Sequence, residues 1–212
     1  MNKHVELLTK RYPALSVCAA DVEAAYAILE ECFLNGNKLL IAGNGGSAAD
    51  AEHIVGELMK GFKMPRACSE EFQRRLCEID GERGAVLAKS LQGGLLSIAL
   101  DGHMSLSTAF INDVENGGSL VYAQQVYGYG KQGDVLLAIS TSGNAKNVMN
   151  ATVVARALGM KVIGLTGAKG GLLSSVADVT VKVPETETYM VQELHLPVYH
   201  CLCLMLEEKF FG

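Results

Sequence analysis

Residues 38–47 read Lys-Leu-Leu-Ile-Ala-Gly-Asn-Gly-Gly-Ser, an apolar run that passes directly into a glycine-rich loop. A short apolar run bounded by turn residues predicts a buried strand, and the glycines permit a tight turn into a following helix. Residues 134–144 repeat this arrangement, because the apolar run that ends at Ile139 is followed by Ser140-Thr141-Ser142-Gly143-Asn144. Two hydroxyl-rich loops that each open a helix predict a bound anion, since a helix N-terminus attracts negative charge.

Around these loops the hydrophobic pattern switches repeatedly between strand-like and helix-like periods, which predicts an α/β fold with a parallel sheet flanked by helices. Five strands are expected, at residues 38–42, 97–100, 134–139, 161–166 and 179–183. Helices are expected at residues 17–33, 47–60, 105–113, 120–129, 147–158 and 187–209.

The 212 residues, 49% of them hydrophobic, suit one domain that spans residues 1–212. The least regular part is the 66–94 segment, with a charged helical piece at 70–78 and a Gly93-Gly94 break. We interpret this segment as an insertion that serves as a lid or a subunit contact, not as a second domain.

The charge and the cysteines narrow the class of protein. A net charge of −5 with interspersed signs argues against nucleic acid or an anionic membrane as the main partner. The six cysteines form no CxxC pair, and we find no signal sequence or long apolar span. Reduced thiols, most of them small core residues, and a cytoplasmic location are therefore expected.

The helix expected at 47–60 carries a pair of polar residues on one face. Ser47 is followed three residues later by Asp50, which predicts that Ser47 caps this helix. His53 and Glu57 are four residues apart, a spacing at which two ligands, or an acid and a base, converge. Their neighbours are small or apolar, so two readings stay open: a hydrogen-bonded surface pair and a functional pair.

The last expected helix also carries polar residues within an apolar series. Gln192 and His200 are eight residues apart and therefore about 80° apart in direction, so both can reach one site. His195 lies about 140° from His200 and is expected to face a neighbouring subunit or solvent. Pro197 is a possible kink in this helix.

A dinucleotide-binding site is the first alternative, because residues 43–48 match the loose pattern G-x-G-x-x-A. The acidic residue expected about twenty positions later is absent, since Lys63 and Met64 stand there, and no Walker lysine follows the glycines. No nucleotide cofactor is therefore expected, and hydroxyl-rich loops suit a phosphomonoester on a small sugar better.

Taken together, the loops 43–47 and 139–144, the pair His53 and Glu57, and Gln192-Glu193-Leu194-His195 with His200 resemble the sugar isomerase (SIS) family. Within that family the chain most resembles the phosphoheptose isomerases, over nearly its whole length except residues 66–94. The resemblance implies a five-stranded parallel sheet in a three-layer, flavodoxin-like sandwich with an N-terminal helical extension. It also implies a phosphosugar substrate and a homotetramer whose sites lie at subunit contacts.

The resemblance implies a role for each matching residue. Glu57 matches the catalytic base and His200 the catalytic acid/base. Zinc, one ion per subunit, is implied on His53, Glu57, Gln192 and His200. Substrate-binding positions are implied at Asn44, Gly45, Gly46, Ser47, Asp113, Ser140, Thr141, Ser142 and Gln192. Many members carry an arginine where Gly61 stands, and Lys60 or Lys63 is a candidate to supply that charge.

The activity implied is aldose–ketose isomerisation of sedoheptulose 7-phosphate to D-glycero-D-manno-heptose 7-phosphate through an enediol. Such a reaction needs a carboxylate near the carbons and an imidazole near the oxygens, and zinc would polarise the carbonyl. Two alternatives stay open. One is a non-catalytic SIS phosphosugar-binding regulator of the DnaA-binding type, whose members lack the acid and base at the positions of Glu57 and His200. The other is an isomerase of a different phosphosugar.

Overall fold

Five parallel strands form the centre of the computed structural model, which describes residues 2–212. The strands are β1 Leu39–Ala42, β2 Ser97–Ala99, β3 Val135–Ile139, β4 Lys161–Thr166 and β5 Val179–Lys182. Their order is β2-β1-β3-β4-β5, and the register places Leu40 beside Leu136 and Leu136 beside Val162. All five strands overlap the expected ones, so the predicted parallel sheet is confirmed.

Nine α-helices surround this sheet in the part of the chain that the structure describes. They are α1 Lys3–Arg11, α2 Ala19–Leu34, α3 Gly46–Met59, α4 Glu70–Ile79, α5 Gly81–Ser90, α6 Met104–Asp113, α7 Gly117–Tyr129, α8 Lys146–Ala157 and α9 Thr188–Phe211. Two short 3₁₀ helices occupy Pro13–Cys18 and Leu172–Ser175. Among residues 2–212, no helix combines the length and apolar character that crossing a bilayer requires.

Each strand contributes side chains alternately to two hydrophobic layers, as the period of two in a strand requires. Leu39 and Ile41 of β1 face a core shared with α1, α2, α3 and α9. Leu40 and Ala42 face the opposite core, which α7 and α8 cover. The result is the three-layer sandwich that the resemblance implies. Helix α9 runs unbroken through Pro197.

Helices α1 and α5 are absent from the helices that the hydrophobic pattern predicts, although the resemblance implies an N-terminal helical extension. Only Val5 and Leu8 are buried in α1, so its apolar periodicity is short. Helix α5 contains two glycines and buries only Gly84. Together α4 and α5 form a helical hairpin, so the 66–94 segment is more regular than expected, although its role as a lid or subunit contact stays a prediction.

The strand order places both loops at one edge of the sheet. After β1 the chain continues to β2 on one side, whereas after β3 it continues to β4 on the other. Helices α3 and α8, which follow these strands, consequently pack on opposite faces of the sheet. In open parallel sheets, ligands bind in the crevice that such a reversal leaves at the carboxyl ends of the strands. Loops 43–45 and 140–145 line this crevice.

Candidate active site

The crevice between the two loops holds a cavity of about 140 Å³. Its lining is rich in hydroxyl groups, and the residues are Asn44, Ser47, Ile139, Ser140, Thr141, Ser142, Ala145, Thr188 and Gln192. The structure thus brings together both loops that the sequence singled out. Ser47 and Ser140 are buried, so their hydroxyls are held in place rather than dispersed in solvent.

The N-termini of three helices meet at this cavity. Ser47 lies in the first turn of α3, Ala145 caps α8, and Thr188 is the first residue of α9. Backbone N–H groups of a first helical turn have no partner within the helix, and the helix dipole adds positive potential. Three such ends around hydroxyl side chains make a pocket suited to a phosphate group.

Gly45 sets the geometry of the first loop. Its φ of +56° lies in the region that favours glycine, and it occupies the position just before α3 begins. The prediction that Ser47 caps this helix is therefore wrong, because Gly45 holds the cap position and Ser47 lies inside the first turn. Asn44 is fixed by paired side-chain hydrogen bonds with Asn147 of α8 at 2.8 and 2.9 Å.

Helices α3 and α9 lie side by side and run in the same direction. The side-chain amide of Gln192 packs against Gly46 at one end of the pair. Further along, His53 contacts Tyr199, with 5.5 Å between the ring centroids. This pairing brings residues that are about 146 positions apart in sequence to one surface.

The far end of this helix pair carries the acid and base candidates. His53 Nε2 lies 3.1 Å from Glu57 Oε1, and the rings of His53 and His200 are 5.1 Å apart, edge to face. Lys60 Nζ lies 3.4 Å from Glu57 Oε2, which provides a positive charge beside the carboxylate. The structure thus assembles His53, Glu57 and His200 into one cluster.

His200 sits in a setting that favours its neutral form. Its Nε2 is buried and has no hydrogen-bond partner among residues 2–212. Burial lowers the pKa of His200 below its ordinary value, and the nearby His53 and Arg11 add to this effect, whereas Glu57 opposes it. The ring also lines a cavity of about 240 Å³ between α1 and α9. A neutral imidazole is able to accept one proton and donate another.

The buried Tyr199 and the half-buried Asp50 connect α9 to α3 beside this cluster. Tyr199 donates a hydrogen bond to Asp50 at 3.2 Å and lies 2.9 Å from His53 Nδ1. Burial, together with the Asp50 carboxylate, raises the pKa of Tyr199 above its ordinary value, so its phenol keeps its proton. Burial also raises the pKa of Asp50 above its ordinary value.

The structure places Asp113 and His195 away from the positions that the sequence predicts for them. Asp113 ends α6 on the exposed surface, where it accepts a hydrogen bond from Asn112, and it does not line the 140 Å³ cavity. His195 is fully buried in the chain's own core, so the expectation that it faces solvent or a neighbouring subunit is wrong. Burial lowers the pKa of His195 to about 4, and the nearby backbone of Thr166 opposes that shift.

Sequence reasoning also missed three residues near the site. Thr188 lies four positions before Gln192, so helical spacing places both on one face of α9. Tyr199 carries no local signal because its partners His53 and Asp50 lie on α3. Arg11 carries none because it reaches the cavity beside His200 from α1.

Comparisons with known proteins agree with this architecture. The SIS domain family matches residues 83–167. A phosphoheptose isomerase of Geotalea daltonii is 39% identical over 191 residues, which cover 90% of this chain and 85% of that protein. The structure of a phosphoheptose isomerase from Francisella tularensis superposes with a TM-score of 0.75 at 30% identity, covering 93% of this chain and 91% of the other. That from Neisseria gonorrhoeae gives 0.74 at 31% identity, with the same coverage.

The chain belongs to the phosphoheptose isomerase family of SIS-domain proteins. This membership confirms the resemblance predicted from the loops and the last helix. It also confirms the predicted fold class, since the solved phosphoheptose isomerases match over nearly the whole chain.

The phosphoheptose isomerase resemblance implies zinc, and the residues of this chain provide a partial test. Among residues 2–212, no three histidine, cysteine, aspartate or glutamate side chains are already arranged as a metal site. The donor chemistry nevertheless fits, because His200 Nε2 is buried without a partner and His53 Nε2 faces Glu57 Oε1. Imidazole nitrogens and a carboxylate are ligands that zinc accepts in tetrahedral sites.

Proposed function

We propose that this protein is an aldose–ketose isomerase that converts sedoheptulose 7-phosphate to D-glycero-D-manno-heptose 7-phosphate. The observation that carries the proposal is the cluster of Glu57 with His53 and His200, in a chain that is 39% identical to a phosphoheptose isomerase. The resemblance implies that non-catalytic relatives of the DnaA-binding type lack the acid and base at the positions of Glu57 and His200.

The phosphate end of the substrate is assigned to the 140 Å³ cavity. Ser47, Ser140, Thr141 and Ser142 supply hydroxyls there, and Thr188 adds another. Three helix N-termini supply N–H groups and positive potential without a lysine or arginine in the lining. Asn44 and Gln192 also line this cavity, and we assign Gly45 and Gly46, at the turn into α3, to the same end of the substrate. We assign Asp113, which lies outside this cavity, to substrate contact in a neighbouring subunit's site.

The position of the acid and base suits a long sugar. Glu57 follows Ser47 by ten residues on α3, which at the helical rise separates their Cα atoms by about 15 Å. The phosphate and the reacting carbons must therefore lie at opposite ends of the substrate. A heptose phosphorylated at the carbon farthest from its carbonyl meets this requirement better than a pentose does.

Glu57 and His200 carry out the two kinds of proton transfer that the isomerisation requires. Glu57 removes a proton from C1 of the ketose, and the C–H electron pair forms the C1–C2 double bond of an enediol. His200 transfers a proton from the C1 oxygen to the C2 oxygen. Glu57 then returns its proton to C2, and the aldehyde forms at C1, so no proton or electron is gained or lost. Lys60 holds positive charge next to the base.

Zinc is part of the proposal as a group that His53, Glu57 and His200 would hold, and Gln192, whose amide packs against Gly46, would have to turn toward them to be the fourth ligand. When bound, it would polarise the substrate carbonyl and stabilise developing negative charge. Ligation would lower the basicity of Glu57, so its roles as ligand and as base compete. We further propose a homotetramer in the cytoplasm, with one zinc site in each subunit.

The test is an assay of the purified protein with zinc and sedoheptulose 7-phosphate, with fructose 6-phosphate and ribulose 5-phosphate as shorter controls. We expect aldose product from the heptulose alone, with solvent deuterium incorporated at C2. Faster turnover of fructose 6-phosphate or ribulose 5-phosphate than of the heptulose would identify that shorter sugar as the substrate. A folded protein that binds the sugar phosphate without turnover would instead be a phosphosugar-binding regulator.

A further inference from the structure

The phenol of Tyr199 lies between two polar side chains of α3. Its oxygen is 2.9 Å from His53 Nδ1 and 3.2 Å from Asp50 Oδ1. Tyr199 is 1% exposed, so its hydroxyl must find partners inside the protein. Asp50, Tyr199, His53 and Glu57 thus form a row of polar groups, because Nε2 of the His53 imidazole lies 3.1 Å from Glu57 Oε1.

The number of protons in this row fixes the direction of its hydrogen bonds. A phenol donates one hydrogen bond, and an ionised carboxylate only accepts. The proton of Tyr199 is therefore donated to Asp50. The phenol oxygen is left as an acceptor, so the hydrogen between it and His53 must belong to Nδ1.

We propose that Asp50 and Tyr199 are positioning residues that hold His53 with its proton on Nδ1 and its lone pair on Nε2. The inference rests on the proposed function in one respect: a histidine that binds zinc through Nε2 must have this tautomer. In most metal sites the second nitrogen of a ligating histidine donates to a carboxylate or a carbonyl. Here a buried phenol takes that place, and Asp50 supports it.

The same hydrogen bonds keep Glu57 available as the general base. In the neutral ring with its proton on Nδ1, Nε2 and Glu57 Oε1 are both acceptors 3.1 Å apart, so a proton or a cation must lie between them. The alternative tautomer would place a hydrogen on Nε2, and that hydrogen would be donated to Glu57. Asp50 and Tyr199 thus keep the His53 lone pair free for a cation and the carboxylate free for a proton.

The first experiment compares the wild type with Tyr199→Phe, which removes one oxygen and keeps the ring. In metal-free protein labelled with ¹⁵N-histidine, at one neutral pH, we expect the His53 shifts of an Nδ1–H tautomer in the wild type. We expect the variant to shift toward Nε2–H. Zinc affinity, measured by competition with a chelating dye, should fall by about 10- to 100-fold, the usual effect of losing such a partner.

Three further variants make the result specific. Tyr189→Phe changes an exposed tyrosine near the start of the same helix and should leave both readouts unchanged. Asp50→Ala removes the acceptor without altering the packing of the Tyr199 ring and should reproduce the loss if Tyr199→Phe fails to fold. Asp50→Asn keeps an acceptor oxygen and should therefore keep most of the wild-type affinity for zinc.

Two results would overturn the inference: a wild-type His53 with its proton on Nε2, or unchanged zinc affinity in both Tyr199→Phe and Asp50→Ala. Neither readout involves a sugar. A wild-type protein that fails to isomerise sedoheptulose 7-phosphate would refute the proposed function and leave this inference to be judged on its own measurements.

Discussion

Arg66 and Glu207 form a buried ion pair that joins the end of α3 to α9. Arg66 Nη2 lies 2.9 Å from Glu207 Oε1, and both side chains are at most 1% exposed. Arg66 also donates to the carbonyl oxygens of Glu57 and Leu58. Burial alone would raise the pKa of Glu207, but backbone amides that follow α3 and the Arg66 guanidinium hold it below its ordinary value. The pair fixes the turn that carries Glu57 against the helix that carries His200.

Arg66→Met should destabilise the protein by about 3–5 kcal/mol, because it leaves the Glu207 carboxylate buried without its charged partner. Urea denaturation measures the free energy of unfolding. Arg74→Met is the matched control, since Arg74 pairs with Glu78 at 2.5 Å on the surface and both side chains are more than half exposed. That control should cost less than about 1 kcal/mol. Equal losses in the two variants would contradict the importance of the buried pair.

Glu57→Gln and His200→Gln should each lower kcat by at least about 100-fold, the usual effect of removing a general base or acid. Both replacements are close in size to the original side chain, so the thermal unfolding temperature of each zinc-free variant should stay near that of the zinc-free wild type. Glu52→Gln alters an exposed residue of the same helix and should keep wild-type kcat. A near-normal rate in either active-site variant would remove that residue from the mechanism.

The sheet and the phosphate loops could be predicted because their signals are local. Buried parallel strands are continuous apolar runs, and glycine marks their turns, as in Leu39–Ala42 followed by Gly43. The grouping of His53 with Glu57 follows from helical spacing alone. These features need no knowledge of what packs against them.

The errors share a different cause. The spacing from Ser47 predicts that Asp50 belongs to a capping pair, whereas its carboxylate accepts a hydrogen bond from Tyr199, which is 149 residues away. Helical angles give the direction of His195 relative to His200, but they do not show that the core lies in that direction. Long-range packing decides such partners, and periodicity along the chain does not encode it.

Gly46→Ala tests the position of Gln192. A Cβ built on Gly46 would lie 2.6 Å from Gln192 Nε2, so the amide must move out of the cavity wall. We expect KM for the sugar phosphate to rise about five- to tenfold, as the loss of one hydrogen bond would cause, with kcat less affected. Gly56→Ala on the same helix meets no atom within 4 Å and should stabilise the protein by up to about 1 kcal/mol. An unchanged KM in Gly46→Ala would mean that Gln192 does not contact the substrate.

Elemental analysis of protein purified without chelator should find about one zinc per chain. Removal of zinc should abolish turnover and lower the thermal unfolding temperature, because a ligand that binds only the folded state stabilises it. Re-addition of zinc should restore both, whereas magnesium, which prefers oxygen ligands, should not. Full activity in verified metal-free protein would leave His53, Glu57, Gln192 and His200 as acid, base and hydrogen-bonding groups.

Deletion of the helical hairpin of α4 and α5 should leave the rest of the domain folded. Helix α4 buries no side chain, and large apolar residues such as Ile79 and Val86 are exposed at 84% and 63%. Ala67 and Gln92 pair as an antiparallel bridge, so the two ends of the hairpin are already adjacent. Replacing residues 69–90 with Gly-Gly keeps Arg66 and should leave the free energy of unfolding of the core nearly unchanged.

The same deletion tests the proposed role of the hairpin. If it is a subunit contact, light scattering should show a smaller oligomer, and Ile79→Glu with Val86→Glu should have the same effect without shortening the chain, because buried charge opposes association. If it is a lid, the oligomer should persist and KM should rise. An unchanged oligomer with an unchanged KM would exclude both roles.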